Sequence, residues 1–168
     1  MRIPVVLGAT LVLTACSTLG GQGQAAAPKT VEVTLVAGKS TANSSFNFNG
    51  YANGKMTLTI PKGWTVVVHY ENASALRHSF DVIPYNATQP QTPPPPVFKG
   101  AATADPVSGI GVGHSETISF VADRPGKYEF LCGVLGHAQA GMWDFLVVSP
   151  TAGVPAISPS AAASLKVR

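Results

Sequence analysis

Between Thr30 and Val148 the chain sustains no helical period of apolar residues. It shows only short runs rich in β-branched and aromatic side chains, separated by turn residues. Such a chain cannot pack helix on helix, and its apolar residues can be buried only by laying sheet on sheet. The runs Thr30–Ala37, Phe46–Tyr51, Met56–Ile60, Trp64–Glu71, His78–Ile83, Ser115–Ala122, Lys127–Cys132 and Trp143–Val148 predict about eight strands. Several alternate apolar with polar, as Val31-Glu32-Val33-Thr34-Leu35 does, which turns one face to a core and the other to water. Asn53-Gly54, Pro61-Lys62-Gly63 and Arg124-Pro125-Gly126 read as tight hairpin turns. The expected fold is an all-β sandwich over residues 30–149.

A chain of 168 residues supplies one modest core. Two segments fall outside the strand pattern. Pro84–His114 holds no strand candidate, and its run Pro93–Pro96 is expected to lie along the surface as a stiff extended segment rather than to serve as a ligand for a proline-reading domain. Pro150–Arg168 is rich in Ala, Ser and Pro without a period and is expected to be a disordered tail, residues 150–168. Eleven Lys and Arg against eight Asp and Glu give a net charge of +3, and the basic residues are scattered singly, which excludes a nucleic-acid-binding stripe. Charged residues make up only 11% of the chain, so partners are not expected to be recognised through salt bridges.

The two cysteines have different surroundings. Ile3–Leu13 is an apolar run behind Arg2 that ends in Leu13-Thr14-Ala15-Cys16. It is too short to span a bilayer, which takes about 20 residues, and suits a cleaved export signal. The segment resembles a bacterial lipoprotein signal. That resemblance implies removal of residues 1–15 and lipidation of Cys16, and residues 16–29 then read as a flexible tether. Acyl chains there would anchor the protein to the outer face of the cytoplasmic membrane or to the outer membrane, facing the periplasm or the exterior. A lipidated Cys16 could not bridge to Cys132.

Cys132, His137 and Met142 follow one another at five-residue intervals in a glycine-rich stretch. A thiolate, an imidazole and a thioether are the soft and borderline donors that copper prefers, and a second imidazole would complete a trigonal site with a weak axial Met. His78, in Arg77-His78-Ser79-Phe80, supplies it. Taken singly, a buried Cys is a small hydrophobe, a Met at a strand start is core and a loop His is solvated. Four ligand-type residues in this order and spacing outweigh those readings. His69 and His114 lack ligand spacing, and Ser79 is placed to hydrogen-bond across the ligand loops and so to orient them.

Over Val31–Val148 the chain resembles the sulfocyanin family of blue copper proteins, with the rusticyanins close by. The resemblance is carried by Phe46-Asn47-Phe48-Asn49-Gly50-Tyr51, Gly54-Lys55-Met56-Thr57-Leu58-Thr59-Ile60-Pro61, Arg77-His78-Ser79-Phe80 and Cys132-x4-His137-Ala138-x-Ala140-Gly141-Met142-Trp143. It implies a cupredoxin-like Greek-key sandwich binding one type 1 copper ion, Cu(I)/Cu(II), through His78, Cys132, His137 and Met142. It also implies a monomeric electron carrier, not an enzyme, that exchanges electrons with redox proteins of the cytochrome or terminal oxidase type. Multicopper enzymes need further sites built from His-x-His motifs, and none of the four histidines forms one. By the same resemblance one edge of His137 lies near the surface, where Val134, Leu135, Ala138 and Ala140 form an apolar collar for brief docking. The alternatives are a copper-delivery or sensing lipoprotein and a metal-free scaffold.

Overall fold

A computed structural model describes residues 29–168. Nine strands follow one another: β1 (Thr30–Ala37), β2 (Thr57–Pro61), β3 (Thr65–Asn72), β4 (Asp81–Pro84), β5 (Ser115–Val121), β6 (Gly126–Leu131), β7 (Trp143–Ser149), β8 (Ala156–Ser158) and β9 (Leu165–Val167). They form a four-stranded sheet in the order β5-β3-β1-β9 and a five-stranded sheet in the order β4-β6-β7-β2-β8. The all-β sandwich expected from the strand pattern is the architecture found. In β1 the alternation buries Val31, Val33, Leu35 and Ala37, and in β3 it buries Val66, Val68 and Tyr70. The two strands run parallel with Thr30 opposite Thr65, so both buried rows face the second sheet. From that sheet Leu58, Ile60, Phe130, Leu146 and Val148 complete the core. Phe48, Phe80 and Phe130 fill one end of it, with ring centroids 5.4 Å apart for Phe48–Phe130 and 5.7 Å for Phe80–Phe130.

Turn chemistry was legible in the sequence, but its use differs from the expected hairpins. Pro61-Lys62-Gly63 joins β2 to β3 and Arg124-Pro125-Gly126 joins β5 to β6, and each pair belongs to different sheets. Asn53-Gly54 precedes β2 and pairs with the β7 side, Gly54 N–H donating to Trp143 O at 3.0 Å. Among the described residues, β6 and β7 are the consecutive strands that lie side by side, and residues 132–142 form their connection.

Three expectations are corrected. Residues 150–168 are not a disordered tail: β8 pairs antiparallel with β2 and β9 with β1, and Ala162 is buried in the core. The edges of β1 and β2 offer unpaired backbone groups, and even an aperiodic segment gains by satisfying them. Phe46–Tyr51 is not a strand but a pair of bridges, Ala37 with Phe48 and Phe48 with Tyr51, bent by the left-handed Asn49. His78–Ile83 shortens to β4, because His78 pairs instead with Ile110 in the long loop.

Beyond Pro84, the end of β4, the stretch through His114 contains no named strand yet is ordered against its neighbours. It runs along the free edge of β4: Val97 N–H donates to Val82 O at 2.8 Å, Val82 N–H to Ala101 O at 3.0 Å and Thr103 N–H to Phe80 O at 2.9 Å. The proline run passes over the ligand loop, so close that a Cβ on Gly133 would sit 2.7 Å from Pro93 Cγ.

Candidate metal centre

Cys132 leaves the end of β6 with its side chain buried, and its N–H donates to Met142 O at 3.0 Å, closing the loop at its base. Inside the loop His137 N–H donates to Val134 O and Met142 N–H to His137 O, both at 3.0 Å. These bonds fold the backbone back so that His137 and Cys132 face each other. His78 arrives from the β3–β4 connection and is held by a two-way bridge to Ile110, at 3.2 and 2.8 Å. Asn72, fully buried, ties that connection to the long loop by donating to Leu76 O at 2.7 Å and Ile110 O at 2.9 Å. Arg77 does the same from outside, donating to Ser108 O at 2.8 Å and to Gly109 O.

The result is a cluster of three donor atoms. Cys132 Sγ lies 3.3 Å from His137 Nδ1 and 3.8 Å from His78 Nδ1, and the two imidazole nitrogens are 3.2 Å apart. Bonds of about 2.0 Å to nitrogen and about 2.3 Å to sulfur, arranged between trigonal and tetrahedral, set donors roughly 3.3–3.8 Å apart. The three side chains therefore have the spacing of ligands around one ion and the soft donor chemistry that copper takes.

Electrostatics agree with that use. Burial, with the neighbouring His137 adding to it, lowers His78 from 6.5 to about 4, and burial lowers His137 as well. Both rings stay neutral with lone pairs to donate. Burial raises the Cys132 thiol above its ordinary value, so a cation is what would draw the proton off. Ser79 lies where the sequence placed it, against the ligands. Its N–H donates to Cys132 Sγ at 3.3 Å, its hydroxyl donates to Pro106 O at 2.6 Å, and that hydroxyl accepts from Gly133 N–H at 2.8 Å.

Met142 is fully buried at the start of β7, bonded through its backbone to both Cys132 and His137. Val134 is half-buried and Ala140 exposed, while Leu135 stands out at 70% exposure. Ala138 does not belong to a surface collar: it is 3% exposed and packs with Ile83, Leu131 and Trp143 in a small second core. The loop's turn points its methyl inward, which spacing along the sequence does not reveal. His69 faces Glu32 at 3.6 Å, and His114 is exposed in a turn, both away from the cluster. Cys16, the export signal and residues 16–28 of the tether lie outside the described residues.

Two contributors escaped the sequence reading. Phe46 sets its ring edge against His137, with centroids 4.7 Å apart, and Asn72 braces the His78 loop. The signal available for the first was the density of asparagines around it, since Asn tolerates left-handed backbone.

The family model for the sulfocyanin (SoxE) domain matches residues 23–158. The chain belongs to the sulfocyanin family. Sulfocyanin of Sulfolobus acidocaldarius is 35% identical over 134 residues, covering 76% of this chain and 67% of that protein. Among solved structures, auracyanin of Roseiflexus castenholzii is similar with 27% identity and a TM-score of 0.51 over 72% of this chain and 97% of that one. Rusticyanin of Thiobacillus ferrooxidans gives 26% identity and a TM-score of 0.51 over 71% and 77%. A copper nitrite reductase of Nitrosomonas europaea shares the fold at 25% identity and a TM-score of 0.51, but this chain spans 42% of it. This sulfocyanin-family chain is thus a cupredoxin-like electron carrier of the blue copper kind, and His78, Cys132 and His137 form a group that could hold a metal ion.

Proposed function

We propose that the protein carries single electrons through one type 1 copper site made by His78, Cys132, His137 and Met142, while tethered to a membrane by lipidated Cys16. The observation that carries the reading is the convergence of three donor atoms, one from each of His78, Cys132 and His137, within 4.8 Å of one another. Copper held there supplies a one-electron couple, and the protein's part is to keep the ligand frame still while the charge changes. The β6–β7 hairpin, the His78–Ile110 bridge and the Ser79 hydrogen bonds provide that stiffness. Met142, buried at the end of the ligand loop, would be the fourth donor and would supply a weak thioether.

Electron exchange proceeds at the exposed edge of the ligand loop. Leu135, with Val134 and Ala140 beside it, offers a small apolar contact suited to brief encounters, and the sparse charge keeps release fast. Partners are respiratory redox proteins of the cytochrome or terminal oxidase type at the outer face of the cell. The carrier role is favoured over an enzymatic one because, among the described residues, His69 and His114 do not join His78, Cys132 and His137 or form a second metal-binding group.

The test is a visible spectrum of the protein loaded with Cu(II) and then reduced with ascorbate. An intense blue band that bleaches and returns on oxidation is expected, as is its loss in Cys132→Ser. A protein that binds copper without the band, or passes it irreversibly to a chelator, would favour copper delivery or sensing.

A further inference from the structure

The far side of the ligand loop, between His137 and Met142, is gripped by a strained turn that packing alone does not explain. Asn43, Ser44 and Ser45 take φ values of 49°, 54° and 70°, three consecutive left-handed residues without a glycine. Each such residue costs about 1–3 kcal/mol and persists only where its surroundings over-determine it. Here they do. The Asn43 amide donates to Phe46 O and to Ala140 O, both at 2.8 Å. Buried Asn47 donates to Ser40 O at 2.9 Å and Ala42 O at 2.7 Å, and accepts from Gly50 N–H at 2.9 Å. Asn53, also left-handed at 57°, donates its N–H to Gly141 O at 2.8 Å. Gly141 itself has φ +96°, and a Cβ there would lie 2.4 Å from Asn53 Oδ1. Two left-handed asparagines thus hold consecutive residues of the ligand loop, and the turn delivers Phe46 to His137 at 4.7 Å and to His78 at 6.3 Å.

We propose that Asn43 is a positioning residue for the metal centre: its amide clips the turn 42–45 to Ala140, keeping Phe46 against His137 and fixing the path from His137 to Met142. The proposal rests on the reading of the cluster as a copper site. Asn43 is itself exposed and adds nothing to the core, so the strain in its turn is offset by what the amide ties together. With the clip lost, the turn relaxes, Phe46 withdraws and more of the half-buried His137 ring is opened to water. Water solvates the more highly charged oxidised site better, so the potential falls. A looser loop reorganises more, so self-exchange slows.

Three variants separate the roles. Asn43→Asp keeps size and left-handed tolerance but cannot donate, Asn43→Gly removes the donor with no backbone penalty, and Ser44→Gly relieves strain while leaving the amide in place. Amide hydrogen exchange at Gly141 and Met142 is followed in the metal-free protein, and potential and self-exchange in the copper-loaded protein. Both Asn43 variants are expected to exchange those amides several-fold faster, with a lower potential and several-fold slower self-exchange, while Ser44→Gly stays at wild type. Wild-type protection and potential in both Asn43 variants would overturn the proposal, as would a loss of global stability with the potential unchanged. If Asn43→Asp fails to fold, Asn43→Gly gives the same comparison. If the wild type takes up no copper, the functional reading fails, and amide exchange in the metal-free protein still decides the clip.

Discussion

Asp81 gives the sharpest test of how burial shapes this domain. It lies on β4 with no exposed surface, and among the described residues neither of its carboxylate oxygens has a hydrogen-bond partner. Burial raises its pKa from 3.8 to about 7. The folded state therefore holds the proton more tightly than the unfolded chain does. The stability that results is fully present below about pH 4 and is lost as pH rises through about 7. At about 1.4 kcal/mol per pKa unit, the loss between pH 4 and 7 is about 3 kcal/mol. Asp81→Asn has nearly the same shape and no proton to lose, so relative to wild type it should gain about 3 kcal/mol over that range. His78 runs the other way: its folded value of about 4 lies below the unfolded one, so its contribution is lost as pH falls. It is common to both proteins and cancels in the difference. Urea unfolding of the metal-free pair at several pH values, followed by Trp64 and Trp143 fluorescence, measures the quantity directly. A constant difference between pH 4 and 7 would mean that Asp81 keeps its charge in the fold, through water or through motion of the covering loop.

Met142→Gln should lower the reduction potential by exchanging a weak thioether for a harder amide donor, and a rise on voltammetry would remove Met142 from the axial position. Leu135→Glu places a charge on the most exposed large apolar residue of the loop; it should slow electron self-exchange about tenfold and leave the blue band in place. Unchanged kinetics would take Leu135 out of the docking surface. Ending the chain after Ser149 removes β8, β9 and buried Ala162, and should cost about 2–4 kcal/mol in urea unfolding, whereas an unaltered midpoint would mean the segment is not part of the fold.

The sequence by itself determined the class of fold and the chemistry of the site. Period-two alternation in Val31–Leu35 and the β-branched run Val66–Val68 leave no other way to bury those side chains than in a sandwich. The grouping of His78, Cys132 and His137 was legible because ligand chemistry depends on residue type, and two of the three lie on one short connection, with Met142 at its end. Ser79 was legible because it adjoins a ligand.

Tertiary structure decided what depends on partners distant in the chain. The segment 150–168 carries no pattern of its own and is ordered by the open edges of β1 and β2. Ala138 and Ala140 look alike in sequence, yet the turn buries one and exposes the other. Asn43 and Phe46 act on a loop almost a hundred positions away, Asn43 reaching Ala140 across 97 residues, and the asparagines around them hint at left-handed backbone without naming the loop it serves. Local sequence sets the preferences of a few neighbouring dihedral angles, whereas a left-handed turn becomes stable only when hydrogen bonds from the rest of the fold exceed its strain.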